Sequence, residues 1–400
     1  MLSRGTILKS DRYPSGSSEQ AHRFDGLHHF RQCALDIHGC SQPTAIGLRT
    51  ALALLGARPL GSSTPSSQVA WVCLRSEPIV TIYGQPFVLR DGERPYETYA
   101  LSTRAENLED IERRLVADIT RESQKFGGLI LVHDEEVQGV EIGQAGPLEP
   151  VFIAADAVQT VRDVFDQCVA DGYGVTLHRV PITSDQDPAA YFDLFVDICK
   201  TLPTDTPLVF NCGQGRVRTT YAMSAAVMIR RRQVMLAGEA DPLGIDVRTA
   251  STPAEQQAAE GLAREREQRT RSQALLRLSA LLQKTLALGD HALLTLLSAQ
   301  PATLEALVDA ATGRYDVVLA LASCLEHGLA EKRVVDDVVD RNDVLVNLRL
   351  DPLERRLRYV SSSGTDEERS TSLHRARAAL SKYWLLLSFS GCAWRDSKPS

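Results

Sequence analysis

Cys212 and Arg218 stand with five residues between them in the stretch Asn211-Cys212-Gly213-Gln214-Gly215-Arg216-Val217-Arg218-Thr219-Thr220. A thiol, two glycines and two arginines in so short a loop point to one chemistry: capture of a phosphate-sized anion beside a nucleophile. The glycines permit a tight turn whose backbone N–H groups converge, and the Arg218 guanidinium offers a planar fork for two phosphate oxygens. The same positive field favours the thiolate of Cys212, the attacking form of cysteine. Thr219 is placed to hydrogen-bond the sulfur, and Arg216 sets a second cation at the loop rim. Other phosphate loops fail on residues. A Walker A loop needs Gly-Lys-Ser/Thr, and a dinucleotide fingerprint needs a third glycine where Arg218 stands. A buried structural thiol is the bland alternative for Cys212, but this loop is a poor place for a core. Arg218 has its own alternative, a structural guanidinium that pins the loop.

The loop needs a strand before it and a helix after it. Residues 208–211 are a short apolar run ending at the cysteine, and 221–233 read as helix, so the loop lies against a helix N-terminus. Upstream, Thr44 caps a helix to Leu55, 69–74 read as a buried strand, and 79–83 with 86–89 read as a hairpin around Gly84-Gln85. Residues 107–126 carry Leu108, Ile111, Leu115 and Ile119 at helical spacing, with Gly127-Gly128 as the stop. The apolar run 129–132 reads as a strand buried on both faces. Helix 160–170, strand 175–180 and helix 189–202 complete the alternation. The pattern predicts an α/β fold, a central and mostly parallel sheet flanked by helices, with the nucleophile past the carboxyl end of a strand. Residues 1–43, with one short strand at 6–8, read as a lead-in.

Past Gln233 the character changes. Residues 236–271 read as a charged linker, partly a solvated helix. Residues 272–400 read as an all-helical module, with amphipathic helices near 272–288, 291–298, 301–311, 314–326, 333–340 and 373–389. No motif there carries chemistry, which leaves it open to a protein partner. Arg230-Arg231-Arg232 fits either contact with an acidic membrane or plain complementarity to a helix dipole.

Composition bounds the rest. A chain of 400 residues, 44% hydrophobic, suits about two domains, and a net charge of -7 argues against nucleic-acid binding. Eight cysteines (33, 40, 73, 168, 199, 212, 324 and 392) show neither Cys-x-x-Cys pairs nor zinc spacing, which fits a reducing compartment. The polar residues 1–18 do not read as a signal peptide, and the apolar run 383–389 is too short to span a bilayer. The expectation is a cytoplasmic protein without metal, cofactor or transmembrane segment.

The Cys212-x5-Arg218-Thr219 loop resembles the signature of the cysteine-dependent protein-tyrosine-phosphatase superfamily. Four further stretches are similar to the paladin and PTP-like phytase family: residues 4–11, Gln42-Pro43-Thr44 with Gly47-Leu48-Arg49, Leu74-Arg75-Ser76-Glu77-Pro78, and residues 84–90. The resemblance covers most of 1–235, taken as the phosphatase domain. It implies a phosphocysteine route, with Arg218 and the backbone N–H groups of Gly213, Gln214, Gly215, Arg216 and Val217 on the phosphate oxygens. The departing alkoxide needs a proton. In PTP-like phytases the acid lies on the loop after the preceding strand, here residues 181–188. Asp187 precedes Pro188 and suits a helix N-cap, so Asp185 is the better match, with Asp187 left open.

Arg216 resembles the basic residue of lipid-phosphatase relatives, which ranks inositol polyphosphates or phosphoinositides, as free small molecules or lipid headgroups, above phosphotyrosine; an exposed, acid-paired arginine is the alternative. Arg75 and Glu77 are either pocket residues or a structural pair. Cys33, Cys40 and Cys73 are candidates to approach Cys212, as in relatives that protect the nucleophile with a disulfide. Asn211 stands where most members have histidine, and Val217 where many have glycine. Both departures favour a second reading, a pseudophosphatase that binds phosphorylated ligands as a scaffold; a protein tyrosine or dual-specificity phosphatase is a third. In the resemblance, 272–400 would lie between two repeats of a longer array.

Overall fold

The structure, a computed structural model, describes residues 5–11, 24–59, 67–95, 99–134, 146–183, 189–245, 253–286, 295, 299–325, 328–361 and 365–392. It divides into two units, Met1–Val227 and Met228–Ser400.

In the first unit the strand that leads to Cys212, β11 (Leu208–Asn211), is buried along its whole length. It lies between β3 (Ile37–Cys40) and β4 (Val69–Cys73) and runs parallel to both. β10 (Val175–Arg179) extends the sheet beyond β4 in parallel, and the two-residue β2 (Arg31–Gln32) closes the other edge antiparallel. A strand with parallel neighbours on both sides loses water on both faces, and this is why 208–210 are continuously apolar. Trp71, Val209, Leu177, Leu48 and Phe165 fill one core cluster, which joins this sheet to α1 (Ala45–Leu54) and α3 (Val161–Ala170). Both helices begin as their sequences dictate. The Thr44 side chain accepts from Gly47 N at 3.0 Å, and Thr160 with Asp163 closes a capping box. α4 (Ala189–Lys200) precedes β11, and α5 (Val217–Leu236) follows the loop.

A second sheet of six strands has the order β8 (Leu148–Phe152), β7 (Leu129–His133), β1 (Thr6–Ser10), β6 (Gln85–Asp91), β5 (Ile79–Ile82), β9 (Val158–Thr160). Its pairings are antiparallel except that of β1 with β7. α2 (Ala105–Lys125) buries Leu108, Leu115 and Ile119, and the last two join Ile130 and Val132 in a core cluster. β7 corrects an expectation. Ile130 and Val132 are buried, but Leu129 and Leu131 are 44% and 62% exposed, so the run alternates and only one of its faces is covered. A four-residue apolar run cannot distinguish these cases. The two sheets are tied by a buried ion pair: Glu112 of α2 accepts from Arg179 of β10 at 3.0 and 3.2 Å and from Ile79 N of β5 at 3.1 Å.

β3 is the chief strand that the sequence hid. Residues 1–43 read as a lead-in, yet Ile37–Cys40 is fully buried beside β11. A strand of Ile, His, Gly and Cys has little β propensity. Gly39 is there for clearance, because a Cβ would lie 2.7 Å from the Thr219 methyl and 2.3 Å from Met223 Sδ. The missing side chain lets the first turns of α5 pack onto the strand.

The second unit is helical. α6 (Pro253–Leu286) runs unbroken across the expected boundary between residues 271 and 272. Helices Pro301–Ala311, Asp316–Ser323, Gly328–Arg341, Asp351–Ser361 and Asp366–Cys392 follow, while most of the expected helix 291–298 lies outside the described residues. Asp351–Ser361 was not foreseen, because its charged sequence offers Leu353 as its main buried apolar side chain. Leu353 joins Ala274, Leu278, Leu282 and Val308 in an apolar cluster. The arginine run beyond α5's midpoint is not a membrane patch. Arg230 and Arg231 are 1% and 7% exposed, and Arg231 donates to both Asp241 oxygens at 2.9 and 2.8 Å. Among the described residues no helix is long and apolar enough to cross a membrane.

The clearance at Gly39 can be tested. Gly39→Ala is expected to lower stability by about 1–3 kcal/mol in urea denaturation through overpacking; a midpoint equal to that of the native chain would refute the close approach.

Candidate active site

The loop leaves the carboxyl end of β11 and turns into α5 at Val217, so Arg218 and Thr219 occupy the first turn of a 20-residue helix. The N–H groups of that turn have no partner within the helix, and its dipole favours an anion there. Cys212 is 3% exposed, and Thr219 Oγ1 donates to Cys212 Sγ at 3.1 Å. The left-handed residue of the loop is Gly215, at φ 67, while Val217 takes no positive φ and simply opens the helix. Gly215 is doubly constrained: a Cβ there would stand 2.5 Å from Ser41 N and 2.6 Å from the Cys40 carbonyl carbon.

Three hydrogen bonds fix the loop's carbonyls. Gln42 N donates to Gly213 O at 3.0 Å, the His29 Nδ1 to Gln214 O contact is 2.7 Å, and Thr220 N donates to Arg216 O at 2.8 Å. A trans peptide points its N–H opposite to its C=O. With the carbonyls of Gly213 and Gln214 drawn onto the scaffold, the N–H groups of Gln214 and Gly215 are turned away from it.

Arg218 is held just as firmly. Its Nη2 donates to Glu77 Oε1 at 2.9 Å and its Nη1 to Glu77 Oε2 at 3.3 Å and Ile182 O at 3.1 Å. Arg75 Nε donates to the same Glu77 Oε2 at 3.1 Å, and Arg75 Nη1 pairs with Asp11. The result is a chain of alternating charge, Asp11–Arg75–Glu77–Arg218. Burial alone would push the Glu77 carboxyl up, but the Arg218 and Arg75 guanidiniums outweigh it and hold the group well below the usual carboxylate range. Burial likewise works against charge on Arg218, and Glu77 followed by the Cys212 sulfur raises it above its ordinary value. Arg75, one candidate for the pocket, is 0% exposed and stands behind the loop, its guanidinium 3.2 Å from where a Gly213 Cβ would be.

Asn211 is committed sideways. Its Oδ1 accepts from Trp71 Nε1 at 2.9 Å, and its Nδ2 donates to Gln42 Oε1 at 3.0 Å. The amide that stands where most family members have histidine thus serves the scaffold. A different cation lies near the sulfur: Arg31, 8% exposed, donates to Thr220 Oγ1 at 2.9 Å and His29 O at 3.1 Å. Burial pushes its guanidinium down to about 10, against the pull of the Cys212, Cys40 and Cys33 sulfurs. Cys40, level with Asn211 in the sheet, is a free thiol like Cys33 and Cys73, and burial pushes it up.

Of the residues singled out from sequence, Cys212, Gly213, Gln214, Gly215, Arg216, Val217, Arg218 and Thr219 form one loop, with Gln214 exposed and Arg216 half-buried. Asp185 and Asp187 lie outside the described residues. Asp11, His29, Arg31, Gln42 and Trp71 were not singled out individually, although Asp11 and Gln42 fall in stretches that carry the resemblance. Among the described residues no group of three or more His, Cys, Asp or Glu side chains could hold a metal ion.

Residues 72–230 match the family model for PTP-like phytase, described as "Inositol hexakisphosphate". Paladin of Danio rerio is 26% identical over 199 residues, 48% of this chain and 21% of the relative. Paladin of Homo sapiens is 25% identical over 232 residues, 57% of this chain and 23% of the relative. The chain therefore spans about a fifth of the length of the curated relatives it matches. A solved PTP-like myo-inositol phosphatase of Mitsuokella multacida, in complex with myo-inositol-(1,3,4,5)-tetrakisphosphate, superposes with TM-score 0.40 and 16% identity, over 63% of this chain and 42% of that one. The family model and the curated relatives support a paladin and PTP-like phytase assignment.

Two substitutions test the geometry. Gly215→Ala meets backbone on one side and a left-handed φ on the other, so neither can yield cheaply; a loss of about 2 kcal/mol or more is expected in urea denaturation. Glu77→Gln removes the negative charge that Arg75 and Arg218 share, leaving Arg75 with Asp11 and Arg218 with the Ile182 carbonyl, and is expected to cost about 3 kcal/mol at neutral pH. Because the folded carboxyl lies below its unfolded value, that stabilisation is complete above pH of about 4.3 and lost as pH falls further. Urea midpoints of the two proteins should therefore converge on acidification, and a gap that stays constant down to pH of about 3 would contradict the assigned charge state.

Proposed function

We propose that the chain, which is similar to the paladins and PTP-like phytases, is a cysteine-dependent phosphatase acting on inositol polyphosphates or phosphoinositides. The observation that carries the reading is the single loop in which Cys212 Sγ accepts from Thr219 while Arg218 is clamped by Glu77. Sγ attacks phosphorus in line, the S–P bond forms, and the P–O bond to the alcohol breaks. Arg218 and the loop N–H groups take the charge that builds on the equatorial oxygens. Asp185 is assigned the proton for the departing alkoxide on its place in the sequence. Its carboxylate then accepts a proton from the water that attacks the phosphocysteine. The S–P bond breaks, inorganic phosphate leaves, and the Thr219 hydroxyl steadies the returning thiolate.

The substrate class draws on the family model's description and on Arg216, a second cation at the loop. Phosphotyrosine proteins rank below it. A specific observation favours a second reading, a pseudophosphatase that binds phosphorylated ligands without turnover. Asn211 brings no charge, and its amide is committed to Trp71 and Gln42. As part of the same proposal, 1–235 is the catalytic domain, 236–271 a linker and 272–400 an inter-repeat or partner-binding module of a cytoplasmic protein.

The test is phosphate release by the native chain and Cys212→Ser against inositol hexakisphosphate, a phosphoinositide panel and a phosphotyrosine peptide. Release by the native chain alone is expected, highest on the inositol phosphates. No release from any substrate, with ligand still bound through Arg218, would establish the pseudophosphatase instead.

A further inference from the structure

We infer that His29 and Arg31 form a basic strap across the back of the Cys212 loop, in which Arg31 is a positioning residue that supplies the nucleophile with the buried charge Asn211 lacks. The inference rests on the phosphatase reading of the loop, and its test is read without turnover.

The strap grips at two points. His29, 2% exposed, contacts Gln214 O at 2.7 Å through Nδ1. A carbonyl oxygen only accepts, so Nδ1 is the donor and carries hydrogen. Two residues on, Arg31 closes back on the His29 carbonyl through Nη1 and reaches Thr220 Oγ1 through Nη2. One end therefore fixes the middle of the loop. The other fixes the first turn of α5, beside the Thr219 hydroxyl that donates to the sulfur. His29 sits at φ 56, a left-handed backbone uncommon outside glycine, and such a conformation persists where its surroundings hold it.

The chemistry around Arg31 is unusual for a structural arginine. A buried guanidinium ordinarily has a carboxylate partner. Here the first group that favours its charge is the Cys212 sulfur, opposed by Arg216, while Nε has no partner among the described residues. Among the described residues, groups that act on Cys212 include Arg31 from β2, the Cys40 thiol from β3 and Arg218 from α5. Arg218 is shared with Glu77 and Ile182 O. Among the described residues the printed hydrogen bonds of Arg31 go to a hydroxyl and a carbonyl and to no carboxylate, so no anion other than the sulfur it faces is shown to offset its charge as Glu77 offsets that of Arg218. Burial leaves it charged through neutral pH, with its own loss of charge near 10.

The experiment is the pH dependence of Cys212 alkylation by iodoacetamide, read on the Cys212 peptide by mass spectrometry in the full chain. Arg31→Met, Arg31→Lys and Thr220→Val are compared with native protein. Arg31→Met is expected to raise the midpoint by about one pH unit, a roughly tenfold loss of thiolate near neutrality. Arg31→Lys should recover most of the shift, and Thr220→Val, which removes one hydroxyl acceptor, should give a smaller shift of the same sign. A native midpoint in folded Arg31→Met overturns the proposal, as does Arg31→Lys shifting as far as Arg31→Met. Should Arg31→Met fail to fold, Thr220→Val decides: an unchanged midpoint overturns the strap, and a raised one supports it. A shifted midpoint in a chain that releases no phosphate would keep the strap and sink the phosphatase. Phosphate release with unshifted midpoints would do the reverse.

Discussion

One carboxylate, Glu77, is enclosed between two guanidiniums, and the site depends on that enclosure. Removed from water, a carboxylate is tolerated only if its oxygens are fully engaged, and Arg75 and Arg218 engage both. Buried ion pairs often add little net stability, because desolvation consumes most of the Coulomb gain. What they add is direction. Asp11 pairs Arg75, Arg75 holds Glu77, and Glu77 presents a bidentate edge to Arg218, so the orientation of the loop's arginine is set from outside the loop. The second sheet enters the site by the same route, since Asp11 immediately follows β1.

The loop itself is a backbone device. Its carbonyls are drawn to Gln42, His29 and the first turn of α5, and planar peptides then dictate where the N–H groups go. Gly215 makes this possible by adopting a left-handed φ while lying against the chain at Ser41 and Cys40. No side chain could replace it without moving β3.

The strand–loop–helix at 208–236, the cap at Thr44, the helix from 160 and the hairpin at 79–91 were legible because each rests on local signals: apolar period, cap chemistry or turn residues. Cys212, Arg218 and Thr219 were legible for the same reason, since their spacing is short. What escaped depends on partners distant in sequence. β3 is a strand because it pairs with β11 some 170 residues on, not because Ile-His-Gly-Cys favours one. Arg31 meets Thr220, and Asp11 meets Arg75, across separations that no periodicity encodes. Leu129 and Leu131 were misread because apolarity does not report which sheet face is covered.

The side chain of Asn211 has a consequence for how this sequence can vary. Trp71 Nε1 and Gln42 Oε1 are both buried and both satisfied by one amide, whose carbonyl and NH2 ends match an N–H on one side and a carbonyl on the other. Imidazole also offers one donor and one acceptor, but at other angles, so serving both would require its neighbours to shift. Residues 42, 71 and 211 therefore form an epistatic trio. A histidine introduced at 211 alone would disturb the hydrogen bonds of two buried polar groups, so change at this position is coupled to two others lying about 140 and 170 residues away.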